Sequence, residues 1–174
     1  MFRKNSILVD FSSDYKYIFI LKKNKIYKKK INFLKRSENI ANIFFNFIKK
    51  KKIKIDSTFY LFVNLGPGNL IAIRNSIVFM KMLSIIFKCK LLGFSNYELL
   101  KFNKRKAKKV LITIGSRNLV LDLWKKKANK LPLNEEKKFE NLKFKTIYNK
   151  EILEKLTLSK NLSKKVFPIS YSNV

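Results

Sequence analysis

The sequence predicts an α/β protein. Three short hydrophobic segments, separated by turn-forming residues, come before the first helical pattern, as in a meander of strands. After it, single strands and helices alternate, and a Gly-Pro-Gly turn joins a hydrophobic strand to an apolar helix within residues 59–87. The predicted order is β-β-β-α-β-α-β-α over residues 1–103, which we assign to an amino-terminal lobe. Residues 104–174 are assigned to a reduced carboxyl-terminal lobe.

Five strands are predicted in the amino-terminal lobe. The first three are Ser6–Val9, Tyr15–Leu21 and Lys25–Phe33, each bounded by residues that favour turns. Thr58–Val63 and Lys90–Gly93 are predicted as the fourth and fifth.

The first helix is predicted over Ser37–Lys50. Ser37 is a good capping residue, and Glu38 places negative charge in the first turn, where the helix dipole favours it. The apolar side chains recur at the spacing of one helix face. They are Ile40, Ile43, Phe44, Phe47 and Ile48, and Ala41 and Phe45 widen this face. Ser95 is predicted to cap the third helix, which runs to about Phe102.

The second helix is the most informative element of the chain. It follows Gly66, Pro67 and Gly68, with Asn69 as its predicted cap, and runs from Leu70 to Phe87. Its polar residues are confined to a narrow stripe that includes Arg74, Lys81 and Lys88, and the rest of the surface is apolar. Such a helix is buried on two sides. Because the chain's own sheet can cover one side, the other is predicted to meet a partner.

The carboxyl-terminal lobe has weaker patterns. We predict a hairpin formed by Val110–Ile114 and Leu119–Trp124. Trp124 is interpreted as a core residue in preference to a platform for base stacking. The remaining predicted elements are loops at Lys125–Lys130 and Pro132–Glu136, a strand at Lys143–Tyr148 and a helix at Glu151–Leu158.

The chain of 174 residues has a formal net charge of +29, which is compatible with binding to nucleic acid. Only five of its forty basic residues are arginine, the residue that reads bases and clamps phosphates best. Lysine, asparagine, isoleucine and phenylalanine are abundant together, and all have AT-rich codons, so compositional drift explains much of the charge. RNA binding stays an alternative function, and the basic segment Lys104–Lys109 is read first as a solvated connector.

The chain contains no histidine, which excludes a histidine-ligated metal, a histidine general base and a Ser-His triad. Cys89 is the single cysteine, so no disulfide framework exists and a reducing cytoplasm is expected. The early apolar run at Ile7–Val9 is too short for a signal peptide. Lys81 and Lys88 interrupt the most hydrophobic helix, so no membrane span is expected.

Three strands followed by alternating helices and strands resemble one ribonuclease-H-like lobe of the actin-like ATPase fold. Short motifs resemble the TsaB (YeaZ) family of tRNA threonylcarbamoyladenosine biosynthesis more narrowly, in order along about the first 125 residues. They are Ile7–Ser13 with Asp10, the Arg36-Ser37-Glu38 start of the first helix, Leu65–Arg74 with Gly66, Pro67 and Gly68, Leu92–Ser95, and the pair Ile114–Arg117 and Val120–Trp124.

The resemblance implies a scaffold without catalysis or cofactor. Members pair with the catalytic paralogue TsaD through two amino-terminal helices, here Ser37–Lys50 and Leu70–Phe87, and the ATPase TsaE joins the pair. Alone, the same apolar faces are expected to self-associate into a symmetric homodimer. Contact with tRNA is expected to be weak or indirect. The residues assigned to partner binding are Ile40, Phe44, Phe45, Phe47, Ile48, Ile71, Ile73, Arg74, Ile77, Val78, Met82 and Ile85.

The chain also departs from the family pattern. Phe11 stands where a threonine hydroxyl is usual, so one group that could meet a phosphate is absent. Asp10 lies where actin-like enzymes hold nucleotide and metal, but no second carboxylate or phosphate loop accompanies it, which favours a structural role. An active actin-like ATPase or kinase is therefore the least favoured alternative.

Overall fold

The computed structural model describes residues 5–13, 16–31, 40–103, 108–114, 117–131, 150–159 and 162–169. Its strands are β1 Ser6–Asp10, β2 Lys16–Lys22, β3 Lys25–Ile31, β4 Tyr60–Asn64, β5 Lys90–Phe94, β6 Lys109–Ile114, β7 Arg117–Asp122 and β8 Lys127–Lys130. Its helices are α1 Ile40–Lys50, α2 Leu70–Ile86, α3 Asn96–Asn103 and α4 Lys150–Leu158. The predicted order of the first eight elements is confirmed.

Ser37 and Glu38, the predicted start of the first helix, lie outside the described residues. So do the predicted loop at 132–136 and the predicted strand at 143–148.

The first five strands form one sheet in the order β3-β2-β1-β4-β5. β1 is antiparallel to β2 and parallel to β4, and β4 is parallel to β5. The turn between β2 and β3 is two residues long, and both Lys23 and Asn24 have positive φ, of 45° and 65°. This conformation suits the right-handed twist of a tight hairpin. β1 is buried along its whole length because it is paired on both edges and covered on both faces.

Helices cover both faces of this sheet. On one face, α1 and α2 pack against the side chains of Ile7, Val9, Leu61 and Val63. On the other face, Leu99 of α3 and two α4 residues, Ile152 and Leu156, pack against strand residues. Those strand residues are Leu8, Tyr17, Phe19, Phe62 and Phe94.

The segment after α4 also bonds to the first sheet. Gly93 and Ser163 exchange backbone hydrogen bonds of 2.8 and 2.9 Å, and the Ile169 N–H donates to the Leu65 carbonyl at 2.7 Å. Ser163 and Ile169 belong to the predicted carboxyl-terminal lobe, yet their backbones bond to β5 and to the residue after β4 of the amino-terminal sheet. The division of the chain at residues 103 and 104 into two lobes stays a prediction.

β6, β7 and β8 form a second, antiparallel sheet. The prediction of a loop at Lys125–Lys130 is wrong for its last four residues, which form β8 and pair with β7. The turn before β8 is held by Asp122, whose Oδ1 accepts the N–H groups of Trp124 and Lys125 at 3.0 and 2.8 Å. This turn points the Trp124 side chain into solvent. The prediction that Trp124 is a core residue is therefore wrong.

Among the described residues, no helix is both long enough and apolar enough to cross a membrane.

Candidate protein interface and the adjoining polar network

One side of α2 is buried in the core. Ile73, Ile77, Met80 and Leu83 are almost inaccessible to solvent and pack with β-strand and α1 side chains. Because these positions recur every three or four residues, they form one continuous face of the helix. Phe79 joins this face and stacks edge-on against Phe44 of α1, with ring centroids 5.2 Å apart.

The opposite side of α2 is apolar and exposed. Ile85 keeps 78% of its accessible surface and Ile71 keeps 74%. Ile71, Val78 and Ile85 follow one another at intervals of seven residues, so their side chains lie in a line along the helix. We call this surface the α2 stripe. Its members are Ile71, Val78, Met82, Ile85 and Ile86.

α1 contributes much less exposed apolar surface than the sequence suggested. Phe44 and Phe47 are buried in the core, while Ile40 and Ile48 are partly buried against it. The outer side of α1 carries Asn42, Asn46, Lys49 and Lys50, all exposed. Phe45 is the one exposed large hydrophobic residue of the described helix, and its ring lies 6.5 Å from that of Phe79. α1 is thus an ordinary amphipathic helix.

The predicted partner-binding residues therefore divide into two groups. The assignment is corrected for Phe44, Phe47, Ile73 and Ile77, because their side chains fill the core of this chain and cannot meet another molecule. The sequence pattern could not separate them from the exposed residues, because α2 is apolar on both sides. For Phe45, Ile71, Arg74, Val78, Met82 and Ile85, all exposed, and for the partly buried Ile40 and Ile48, partner contact stays a prediction.

Two exposed hydrophobic residues beside this surface were not in the predicted set. Ile86 closes the α2 stripe at the helix end, and its apolar neighbours are the signal that could have found it. Phe167 lies near α2, since the Lys81 ammonium is 5.0 Å from the centre of its ring. No periodic pattern surrounds Phe167, so only the tertiary structure brings it here.

The charged residues of α2 all have one sign. α2 contains Arg74 and Lys81 but no acidic residue, and Lys88 follows the capping residue Phe87. Arg74 and Lys81 are exposed. An apolar stripe with a basic border fits a partner surface that is apolar at its centre and acidic at its rim.

The Gly66-Pro67-Gly68 turn positions the start of α2. The peptide bond between Gly66 and Pro67 is cis, and Gly66 has φ of +97°, a conformation that favours glycine. A Cβ atom on Gly68 would lie 2.1 Å from the carbonyl oxygen of Ser12. The N–H of Asn69 donates to that same oxygen at 2.7 Å, and its side chain accepts the N–H of Ala72 at 3.1 Å. The predicted cap at Asn69 is confirmed.

Beneath this turn, four buried polar side chains meet at the carboxyl ends of the parallel strands. They are Asp10, Ser12, Asn64 and Asn96. Asp10 Oδ1 accepts the Ser12 N–H at 2.9 Å and its hydroxyl at 2.7 Å. The Ser12 hydroxyl oxygen accepts from the side-chain amides of Asn64 at 3.1 Å and Asn96 at 3.0 Å.

The same network reaches the turn itself. The Asn96 amide donates to the Pro67 carbonyl at 2.7 Å, and Asn64 Oδ1 accepts the Gly66 N–H at 2.8 Å. Asn64 and Asn96 are joined by a further bond of 2.7 Å. Protein groups thus occupy the hydrogen-bonding positions around Ser12. Asn64 and Asn96 were missed from the sequence because lone asparagines at strand ends carry no pattern.

This arrangement supports a structural role for Asp10. Its carboxylate holds the turn after β1, and the network ties β1, β4 and α3 together. Within the described ranges, no group of three acidic, cysteine or histidine side chains could hold a metal ion.

Comparison with known proteins connects this architecture to solved structures. No protein-family profile and no curated protein match the chain. Two solved structures from Pseudomonas aeruginosa are similar in fold, each with a TM-score of 0.53, 12% identity and coverage of 74% of this chain. One is YeaZ, and the other is an uncharacterized protein with similarity to peptidase YeaZ. The chain spans 65% and 64% of their lengths, slightly under two thirds. This protein has a YeaZ-like (TsaB-like) fold.

Proposed function

We propose that this protein is a non-catalytic scaffold of the TsaB type, which pairs with TsaD in tRNA threonylcarbamoyladenosine modification. The observation that carries the proposal is the α2 stripe, a line of large apolar side chains that its own chain leaves exposed. Exposed apolar patches of this kind mark interaction surfaces. In the TsaB family, pairing runs through the helices that correspond to α1 and α2.

The sheet order β3-β2-β1-β4-β5, with helices on both faces, supports the narrower interpretation of an actin-like lobe. In that interpretation, the scaffold and its catalytic paralogue are related lobes whose helices form one bundle. A pairing that buries about 1,600 Å² in total would be stable. The α2 stripe would supply the apolar centre, and Arg74, Lys81 and Phe45 would lie around it.

The buried network argues against the rival activity of an actin-like ATPase or kinase. Asn64 and Asn96 fill the space beside Asp10 and Ser12 with amide groups that are bonded to protein. A nucleotide phosphate would have to displace these buried hydrogen bonds, each of which is costly to leave unmade. We expect calorimetry to detect no ATP binding, and binding that disappears in Asp10→Ala would support the rival.

The proposal is tested by co-expression with TsaD and a mass measurement of the purified complex. Ile85→Asp and Val78→Asp each place a charge in a patch that pairing would desolvate, which costs several kcal/mol, so we expect pairing to weaken by about 100-fold or more. Because both side chains are exposed, the variants should fold normally. Phe44→Asp and Ile77→Asp would not be informative, since they would disrupt the core.

Leu158→Asp is the matched control. Leu158 is also a large exposed hydrophobic residue, but it lies on α4, which covers the other face of the sheet. We expect this variant to pair like the parent. Unchanged pairing of both α2 variants would refute the assignment of the interface, and loss of pairing in the control would show that any surface charge is disruptive.

A further inference from the structure

Trp124 is an exposed aromatic residue that takes no part in the proposed interface with TsaD. Trp124 lies in the turn between β7 and β8, and 68% of its surface is accessible. It is the single tryptophan of the chain. A large aromatic ring at the tip of a hairpin contributes nothing to the core, so its apolar area is available to a ligand.

Lysines from three segments lie in or near the turn that carries this ring. Lys125 and Lys126 follow it in the turn, Lys127 begins β8, and all three are exposed. The ammonium of Lys101 in α3 lies 5.4 Å from the centre of the Trp124 ring. Lys108 is brought near because its carbonyl accepts the N–H of Leu123 at 2.9 Å.

Lys109 belongs to the same cluster, since it is the register partner of Asp122. The described parts of these segments contain two acidic residues, Asp122 and Glu98. The Asp122 carboxylate accepts two backbone N–H groups, and the Glu98 carboxylate accepts the N–H and hydroxyl of Ser95. The N–H of Lys125 is the main cause that lowers the pKa of Asp122, with smaller contributions from Lys125 and Lys109 charges. Six lysines against two carboxylates give the cluster a net positive charge next to one exposed aromatic ring.

We propose that this hairpin tip binds single-stranded nucleic acid, with an unpaired base stacked on Trp124 and backbone phosphates paired with the surrounding lysines. An aromatic platform within a basic surface is the arrangement that binds single strands with little sequence preference. Lysine suits this task because it meets phosphate as a point charge, whereas reading of base edges favours arginine. The proposal does not depend on the pairing with TsaD.

The single tryptophan gives a direct measurement. The full-length protein is titrated with a labelled RNA oligonucleotide of about eight nucleotides, while fluorescence anisotropy reports binding and Trp124 emission reports stacking. We expect quenching of Trp124 at the same RNA concentrations that raise the anisotropy. Binding without a change in Trp124 emission would overturn the proposal, and so would the absence of binding at about 0.15 M salt.

Substitution of Trp124 measures the contribution of the aromatic ring to RNA affinity without a change in charge. Trp124→Ala should weaken binding by about 5- to 150-fold, the range for removal of one stacked base. Because the ring is exposed, thermal unfolding of this variant should match that of the parent. An unchanged affinity in Trp124→Ala would overturn the proposal.

Two matched triple variants distinguish a local RNA-binding site from non-specific attraction of RNA to the positive net charge. Lys125, Lys126 and Lys127 are replaced by Gln in one protein, and exposed Lys51, Lys52 and Lys54, after α1, in the other. Both variants have three fewer positive charges, but only the first should bind RNA much more weakly. Its affinity should also depend less on salt, with the log–log slope reduced by about one for each phosphate that no longer pairs with a lysine. Equal weakening in both would mean that net charge alone drives binding, against the proposal.

Two further binding experiments identify the class of ligand. DNA and RNA of the same sequence bind equally if only the base and phosphate are recognised, and RNA binds better if the ribose hydroxyl contributes. Either result supports the site. Vesicles with anionic lipids test the other ligand that fits an aromatic ring among cations. Quenching of Trp124 by vesicles but not by oligonucleotides would overturn the proposal. Co-purification of Trp124→Ala with TsaD should remain normal.

Discussion

At the scale of single residues, Gly68 in the turn before α2 lies so close to Ser12 that no side chain fits between them. The Gly68 backbone lies against the Ser12 carbonyl, and the Asn69 N–H bonds to that same oxygen. Below it, Ser12 is the hub of the buried network with Asp10, Asn64 and Asn96. The direction of α2, and hence the α2 stripe, depends on this contact.

Gly68→Ala is expected to destabilise the protein by about 3 kcal/mol or more, at the upper end of the range for overpacking. The added methyl would meet the Ser12 backbone at 2.1 Å, and backbone atoms cannot turn away. Gly93→Ala is the control, because its methyl would meet the Leu65 side chain, whose nearest atom is at 2.5 Å and can rotate. Urea unfolding should show a larger loss of unfolding free energy for Gly68→Ala than for Gly93→Ala. The opposite order would contradict a tight contact between Gly68 and the Ser12 backbone.

At the scale of elements, α4 is needed to finish a core that begins more than a hundred residues earlier. Ile152 and Leu156 pack against Leu8, Phe62 and Leu99 on the sheet face opposite α1 and α2. Without α4, these side chains would be open to water. The amino-terminal sheet thus has a full core only with a helix from the predicted carboxyl-terminal lobe.

Leu156→Ala is expected to lower the free energy of unfolding by about 2–5 kcal/mol, because it leaves a cavity at a fully buried position. Leu158→Ala is the matched control on the same helix. Its side chain is exposed, so its effect should stay within about 0.5 kcal/mol. Equal effects of the two variants in urea unfolding would show that α4 does not cover the sheet.

At the scale of the whole molecule, Tyr97 links the two sheets. It belongs to α3, and its buried side chain packs with Val110, Leu119 and Leu121 of the second sheet. Burial raises the pKa of Tyr97 from 10 to about 12, and the negative charge of Asp122 adds to this rise. The folded protein therefore favours the neutral phenol more than the unfolded chain does.

This pKa difference predicts a fall in stability at alkaline pH. The contribution of Tyr97 is fully present below pH 10 and is lost as the pH rises from 10 to about 12, because only the unfolded chain can then ionise easily. Tyr97→Phe should have a shallower decline in the free energy of unfolding over this interval. Lysine side chains also titrate in this interval, but they affect the parent and the variant alike. Parallel curves of unfolding free energy against pH would therefore refute the role of Tyr97.

Much of the fold could be predicted because its patterns are local. The order of the first eight elements, the start of α2 at Leu70 and the cap at Asn69 follow from hydrophobic spacing and capping chemistry. β8 was missed because Lys127–Lys130 has almost no hydrophobic signal, and it becomes a strand through its hydrogen bonds to β7. Trp124 was misplaced because the sequence cannot show that the Asp122 turn points it outward.

The candidate interface could be predicted only in part. The composition of α2 showed that two of its sides are apolar, but Ile77 and Val78 are equally hydrophobic neighbours, and one is buried while the other is exposed. The turn at Gly68 sets the direction in which α2 begins, and this direction decides which side of α2 faces the sheet. Phe167 joins this region through the fold alone.

The sequence by itself determined the α/β class, the predominance of lysine, the absence of histidine and the unusual apolarity of α2. These are properties of composition and local periodicity, and they need no knowledge of distant contacts. The tertiary structure alone decided which α2 side chains remain exposed, that α4 closes the far face of the sheet, and that amides fill the space around Ser12. Each of these depends on residues far apart in the chain, whose meeting is set by packing rather than by local sequence.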